Sequence, residues 1–284
     1  MPELPEVETV VRDLRPLLLG RRIASISFGP SLLRRPWLRN WSRVLKGRHI
    51  RAVERRGKWI VVHVEDGQVL VIHLGMTGQL TVAPTRLPLN NHTHWIVVLD
   101  EGTDQLRFRD IRRFGSVSRM RDAAALNQFF ESARLGPEPF EVEKPYWQQT
   151  LRRTDRCLKA VLLDQRVVAG VGNIYADESL FQARLHPARM ACRLARADQE
   201  RLRKAVTVVL QRAIERRGSS IRNYIGGSGL KGQYQEEFRV YGRTGRPCFR
   251  CRCAIERIRL AGRSTHFCPQ CQFPIPSSKS RVRS

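Results

Sequence analysis

Apolar residues recur near the start of the chain at intervals of three and four: Val7, Val10, Val11, Leu14, Leu17 and Leu18. That spacing gathers them on one helical face, so LPEVETVVRDLRPLLLG is expected to form an amphipathic helix. Pro5 suits its first turn, Glu6 and Glu8 its positive end, and Gly20 its stop. Glu3 precedes this helix and is not explained by it.

From Ile23 to about Val117 the period shortens to two. KWIVVHVE and QVLVIHL are alternating or apolar runs joined at Asp66-Gly67, and HWIVVLD and QLRFRD pair around Glu101-Gly102. Such turn pairs between β-prone runs predict antiparallel hairpins, and the set predicts a sandwich with the first helix packed on it. LGPEPFEVEKP has no clear period and is rich in proline and acid, the signature of a linker. Residues 150–217 then read as helical, with breaks at Gly170-Val171-Gly172 and around Pro187. A glycine-rich loop, IGGSGLKGQ, follows. The expected organisation is a β-sandwich domain (1–134), a linker (135–149), a helical domain with that loop (150–239), a cysteine-rich hairpin (240–274) and a basic tail (275–284).

Charge narrows the partner. The 284 residues carry 51 Lys plus Arg against 26 Asp plus Glu, a net +25. This excess points to a polyanion, nucleic acid first and an anionic membrane second. No apolar run approaches the roughly 20 residues needed to span a bilayer, and no signal peptide is present. The protein is expected to be soluble and intracellular, with its seven cysteines reduced or metal-bound.

Four of those cysteines are spaced for a metal. Cys248 and Cys251 form one knuckle, Cys268 and Cys271 a second, so four thiolates can converge tetrahedrally on Zn²⁺. Four sulfur ligands leave no open position, which makes the expected ion structural. Residues 240–284 hold ten Lys or Arg and one Glu, so a zinc-stapled hairpin there suits phosphate contacts, with Arg263 at its tip.

Three further stretches are candidate contact loops. GVGNIYADE places Asn173 at a helix start, as an N-cap whose neighbouring backbone donors would suit a phosphate. LGMTGQ sets Met76 between glycines, and DIRRFG sets Arg112 and Phe114 at a strand end. These three are either core packing or wedges for a gap in a base stack.

MPELPEVET, GKW (57–59), HLGMTG (73–78), RRFG (112–115), GVGNIYADE (170–178) and GRSTHFCPQC (262–271) together resemble the bacterial formamidopyrimidine-DNA glycosylases, in order and over almost the whole chain. The resemblance implies an α+β multidomain fold: an N-terminal β-sandwich with a packed helix, then a helix–two-turn–helix domain with a C-terminal four-cysteine zinc-finger hairpin. It implies a bifunctional base-excision repair enzyme that removes oxidised purines from damaged double-stranded DNA. One structural zinc and no organic cofactor are expected, in a monomeric, cytoplasmic, nucleoid-associated protein without membrane contact.

It also implies roles. Met1 is removed and Pro2 becomes the nucleophile. Behind Met1 the Pro2 nitrogen is an inert tertiary amide; once freed it is a secondary amine with pKa about 8, neutral in roughly a tenth to a third of molecules near neutral pH. Glu3 is the general acid, with Glu6 in support. Lys58 holds a phosphate near the lesion and assists elimination. His73, Asn173 and Arg263 bind backbone phosphates, and Met76, Arg112 and Phe114 fill the gap left by the extruded base. Lys159 falls where the family has a lysine near the active site, and the 219–231 loop closes over the damaged base. One departure is Arg252-Cys253 after the second zinc ligand, where a glycine commonly follows. Two rivals predict different chemistry: an endonuclease VIII-type enzyme for oxidised pyrimidines, and a non-catalytic zinc-ribbon DNA-binding protein.

Overall fold

The computed structural model describes residues 2–29, 33, 37–219 and 232–273. They form two compact units: Met1–Leu135 with Gln211–Glu236, and Gly136–Leu210 with Glu237–Ser284. The expected lid and the basic tail fall outside the described residues, apart from Ser219.

Unit 1 contains α1 (Leu4–Leu18), β1 (Ile23–Phe28), α2 (Arg39–Leu45), β2 (Ile50–Arg56), β3 (Trp59–Val64), β4 (Val69–His73), β5 (Gly78–Pro84), β6 (Thr93–Leu99), β7 (Asp104–Asp110), β8 (Ser116–Met120) and α3 (Ala123–Ser132). The strands make two antiparallel sheets, β1-β6-β7-β5 and β2-β3-β4-β8. Val7, Val10, Val11, Leu14 and Leu18 of α1 join Ile60, Val62, Leu70, Ile72, Trp95, Leu106 and Phe108 in one buried cluster. Leu17, expected on that face, is exposed.

The predicted turns are where they should be. Asp66 and Gly67 both have positive φ, as a two-residue hairpin turn requires. β3 and β4 read as continuous apolar runs because both of their faces are covered. Val61, Val69 and Val71 turn away from the main core and pack under Phe129 and Phe130 of α3.

Unit 2 contains α4 (Lys144–Arg152), α5 (Leu158–Leu163), α6 (Asn173–Gln182), most of α7 (Arg196–Glu215), β9 (Glu256–Leu260) and β10 (Arg263–Phe267). Two boundaries differ from the sequence reading. The segment 135–149 is not a free linker: Gly136 donates to the Gln165 carbonyl, Ala169 donates to that of Pro137, and α4 begins at Lys144. The stretch after α7 does not belong with the helical unit either. Arg217 pairs with Asp13 of α1 at 2.8 Å, and Ser219 bonds to Glu6, which draws the residues just after α7 into unit 1.

Candidate functional site

The acids at the chain start are held in place by one another. Glu3 is the N-cap of α1, and its backbone N–H donates to Oε2 of Glu6 at 2.8 Å. The other oxygen of Glu6 accepts the Ser219 N–H at 2.7 Å and its hydroxyl at 3.0 Å. Glu3 and Glu6 are 3% and 1% exposed. A side chain at Gly218, where φ is +70, would come within 2.9 Å of Glu6 Oε1, so that turn requires glycine on both counts. The backbone carrying Pro2 and Glu3 therefore cannot fray like an ordinary terminus.

Lys58 sits with Gly57 in the two-residue turn between β2 and β3 and is almost wholly buried. Arg55 steadies that turn, donating to the Gly57 carbonyl at 3.1 Å and to Glu8 at 3.0 Å. Glu8 thus ties α1 to the Lys58 hairpin as well as favouring the helix start. Burial alone would raise the Glu8 pKa, but Arg12 and Arg55 outweigh it and hold the carboxyl below its ordinary 4.5. A depressed folded-state pKa stabilises above the ordinary carboxylate range, and that stabilisation is lost as pH falls through it. Thermal midpoints are expected to fall on acidification, less steeply in Glu8→Gln; identical pH slopes would remove Glu8 from the linkage.

The LGMTGQ and DIRRFG loops meet. A Cβ at Gly75 would lie 2.5 Å from the Gly115 nitrogen, so their backbones are in direct contact. Fully buried Asp110 organises them, accepting from Thr77 Oγ1, from Arg112 N at 3.2 Å and from Gly115 N at 2.7 Å. Core packing is thereby excluded for the apolar residues they carry: Met76 and Phe114 are 38% and 45% exposed, and the Arg112 guanidinium lies 4.8 Å from the Phe114 ring centre. Behind them His73 accepts the Gly75 N–H at 3.0 Å and packs on Trp59. Sequence reasoning missed Asp110 and Thr77; the only signal was a polar residue in each glycine loop. Asp110→Ala strands two donors, Thr77 Oγ1 and Gly115 N, while Arg112 N keeps Thr77 Oγ1, and it is expected to cost about 2–4 kcal/mol of unfolding free energy in denaturant titration. A loss under about 1 kcal/mol would show that the loops do not depend on it.

In unit 2, Asn173 is the first residue of α6 and Gly172 is the N-cap, one position earlier than expected. The reason is visible in its side chain: Nδ2 donates to the Ser264 carbonyl of β10 at 3.0 Å instead of capping its own helix. Arg263 starts β10 beside the Ala261-Gly262 turn and is exposed at the hairpin tip, as expected. Lys159 is 0% exposed; Nζ donates to Asp177 at 2.5 Å and to the Asn173 carbonyl at 2.9 Å. A contact between Lys159 and DNA is therefore replaced by a supporting role: it underlies the turn that presents Asn173. Asp177 also accepts from His266 N and Nδ1, joining α6 to β10. Its neighbour Glu178 takes the backbone N–H groups of Arg239, Val240 and Tyr241. Both acids were missed; within the YADES stretch nothing marks them as anchors.

The four knuckle sulfurs lie within 4.8 Å of one another. Sγ separations of 3.4 Å (Cys251–Cys268) and 3.9 Å (Cys248–Cys271) bracket the ~3.8 Å that tetrahedral Zn–S bonds of about 2.3 Å demand. Cys248 and Cys268 each also accept a backbone N–H at 3.4 Å, from Arg250 and Cys271. The donor set fits zinc. Arg252 has φ +67, the left-handed conformation that explains a glycine preference there; arginine adopts it with the knuckle intact.

A family model described as the formamidopyrimidine-DNA glycosylase N-terminal domain matches residues 1–117. Its H2TH counterpart matches 135–224, and a zinc finger found in FPG and IleRS matches 245–272. The chain belongs to the formamidopyrimidine-DNA glycosylase family. The formamidopyrimidine-DNA glycosylases of Desulforamulus reducens and Carboxydothermus hydrogenoformans are 44% and 42% identical to it, over 96% of this chain and 99% and 100% of theirs. Among solved structures, the complex of Lactococcus lactis Fpg with abasic-site DNA superposes with TM-score 0.89 at 35% identity, covering 96% of this chain and 100% of that one. The wild-type L. lactis Fpg complex with N7-benzyl-Fapy-dG DNA gives 0.89 at 36%, with the same coverage. The family's zinc finger accounts for Cys248, Cys251, Cys268 and Cys271 as a structural zinc site. Among the described residues no helix is long and apolar enough to cross a membrane.

Proposed function

We propose that this glycosylase and abasic-site lyase takes oxidised purines, 8-oxoguanine and formamidopyrimidines, and that Pro2 is its nucleophile. With Met1 removed, the Pro2 nitrogen attacks C1′ of the extruded nucleotide and the base departs with the electrons of the glycosidic bond. Glu3, the adjacent residue, protonates the sugar-ring oxygen, which opens the ring. The product is an iminium ion; a secondary amine leaves no N–H proton to lose, so the cation persists. It acidifies the 2′ proton, and loss of that proton expels the 3′ phosphate, then the 5′ phosphate, by β- and δ-elimination. Lys58 holds a phosphate during these steps.

The observation that carries this reading is the buried Glu3–Glu6–Ser219 arrangement, a helix cap tied to a distant loop residue, which holds the backbone of Pro2 and Glu3 in one place. The exposed Met76, Arg112 and Phe114 on loops braced by Asp110 suit filling of an emptied base position, and His73, Asn173 and Arg263 suit phosphates. The enzyme is read as a monomer acting on nucleoid DNA. Excision from 8-oxoguanine·C and thymine glycol·A duplexes, compared side by side, tests the substrate class. Purine-lesion excision is expected to dominate, and a preference for thymine glycol would assign the chain to oxidised pyrimidines instead.

A further inference from the structure

The charge that the reaction leaves unused is concentrated on the first zinc knuckle. Phe249, between the first two zinc ligands, is 53% exposed, and two guanidinium carbons lie over its ring, Arg243 at 3.7 Å and Arg239 at 5.1 Å from the centre. Arg246 and Arg239 lie close enough to Arg243, and Arg184 and Arg239 to Arg250, to repel their charges. Two of these cations have structural work. Arg243 donates to the carbonyls of Phe238 and Pro247, and Arg250 donates to that of Phe181 at 2.8 Å and stacks on its ring. Arg184, Arg239 and Arg246 are exposed, and among the described residues no carboxylate pairs with their guanidinium groups. Folding therefore gathers like charges around an exposed aromatic ring, opposed only in part by Glu178 and the cysteine sulfurs beneath it. A basic surface with an aromatic inlay is the chemistry that binds phosphodiester backbones.

This surface is not the one that carries Asn173. Asn173 opens α6, whereas Arg250 anchors the knuckle to Phe181 and Gln182 at its other end, about 14 Å of helix rise away. Arg263 and the Cys268 knuckle likewise sit at opposite ends of β10, so the tip that carries Arg263 and the knuckle that carries Phe249 are opposite ends of the zinc hairpin. We propose that the Arg184–Arg239–Arg246–Phe249 surface binds a second segment of duplex DNA through its phosphates, which lets the enzyme pass directly from one DNA segment to another. This rests on the DNA-glycosylase reading and adds a second DNA site to it.

The test is release kinetics. The zinc-loaded full-length enzyme is bound to a labelled duplex containing a tetrahydrofuran abasic analogue, and undamaged duplex is added as competitor. Wild-type release is expected to accelerate with competitor concentration, because the second segment binds before the first leaves. In R239E/R246E that acceleration is expected to fall about tenfold, with single-turnover excision of 8-oxoguanine unchanged. The milder R239Q/R246Q gives an intermediate loss, and zinc content and melting temperature are matched across all three proteins. Competitor-independent release by wild type overturns the proposal, as does unchanged acceleration in R239E/R246E. Loss of excision together with acceleration overturns it too, by placing these arginines in the lesion-binding site. If wild type excises nothing and forms no covalent adduct, the glycosylase reading has failed instead, whatever the release kinetics.

Discussion

A chain made with one uncleavable residue ahead of Pro2 is expected to form no covalent adduct with lesion DNA under borohydride. Its excision should fall by about 10⁴–10⁶-fold, the scale of removing a covalent nucleophile. The cause is electronic rather than steric. In a peptide bond the proline nitrogen's lone pair is delocalised into the carbonyl and cannot attack C1′. A free Pro2 has the opposite property, since an α-amine near pKa 8 is substantially neutral where a lysine near 10.4 is almost entirely charged. Pro2→Gly separates the steps. It keeps a primary amine, so an adduct still forms, but its imine can lose a proton and the eliminations slow. Glu3→Gln keeps the nucleophile and removes the acid, and excision is expected to drop about 10²–10⁴-fold. Because Glu3 is also the N-cap, its melting temperature is the control: the backbone N–H to Glu6 bond is independent of the Glu3 side chain, so the fold should hold. An extended chain that still traps DNA would end the Pro2 mechanism.

How much of this was visible beforehand depended on whether a feature was local. Asp66-Gly67 and the alternating runs beside it specify a hairpin within a dozen residues, and the knuckle spacing of Cys248, Cys251, Cys268 and Cys271 specifies a metal site without knowledge of the fold. α2 was not visible because RNWSRVL has Leu38 as its N-cap, with no side-chain bond to announce the start. α3 was missed although Asp122 caps it, because the apolar runs of β3 and β4 show that both faces are covered without showing what covers the outer one.

The site divides in the same way. The roles proposed for Pro2 and Glu3 came from the resemblance, whereas Arg263's place at the hairpin tip was legible because it follows from a turn. The residues that hold the site in shape were not. Asp110, Asp177 and Ser219 act across sequence separations of 33, 89 and 213 residues, which no periodicity reports. Lys159 shows the converse error. The resemblance implies a place for it among the DNA-binding residues, yet burial opposite Asp177 makes it an internal brace.

Removing zinc is the second large perturbation, and its effect should be confined to DNA binding. The hairpin β9–β10 is five residues per strand, too short to be stable without support. Its own core is small: Cys248, Cys268, Ile255 and Val240 packed on Phe181. Zinc binding in such modules supplies about 10–16 kcal/mol of folding free energy, so the ion decides whether the hairpin exists. Cys248→Ser, or a strong chelator, is expected to release β10 and with it Arg263 and the Ser264 carbonyl that holds the Asn173 side chain. Loss of two to three phosphate contacts lowers lesion-duplex affinity by about 10²-fold at moderate salt and flattens the salt dependence by about two in log–log slope. Borohydride trapping at saturating protein should survive, because Pro2, Glu3 and Lys58 belong to the other unit and none of them ligates the metal. Restoring zinc to the chelated wild type should restore affinity, whereas Cys248→Ser should not respond. Full duplex affinity in protein shown by metal analysis to be zinc-free would mean that the hairpin holds its shape, or that Arg263 grips no phosphate.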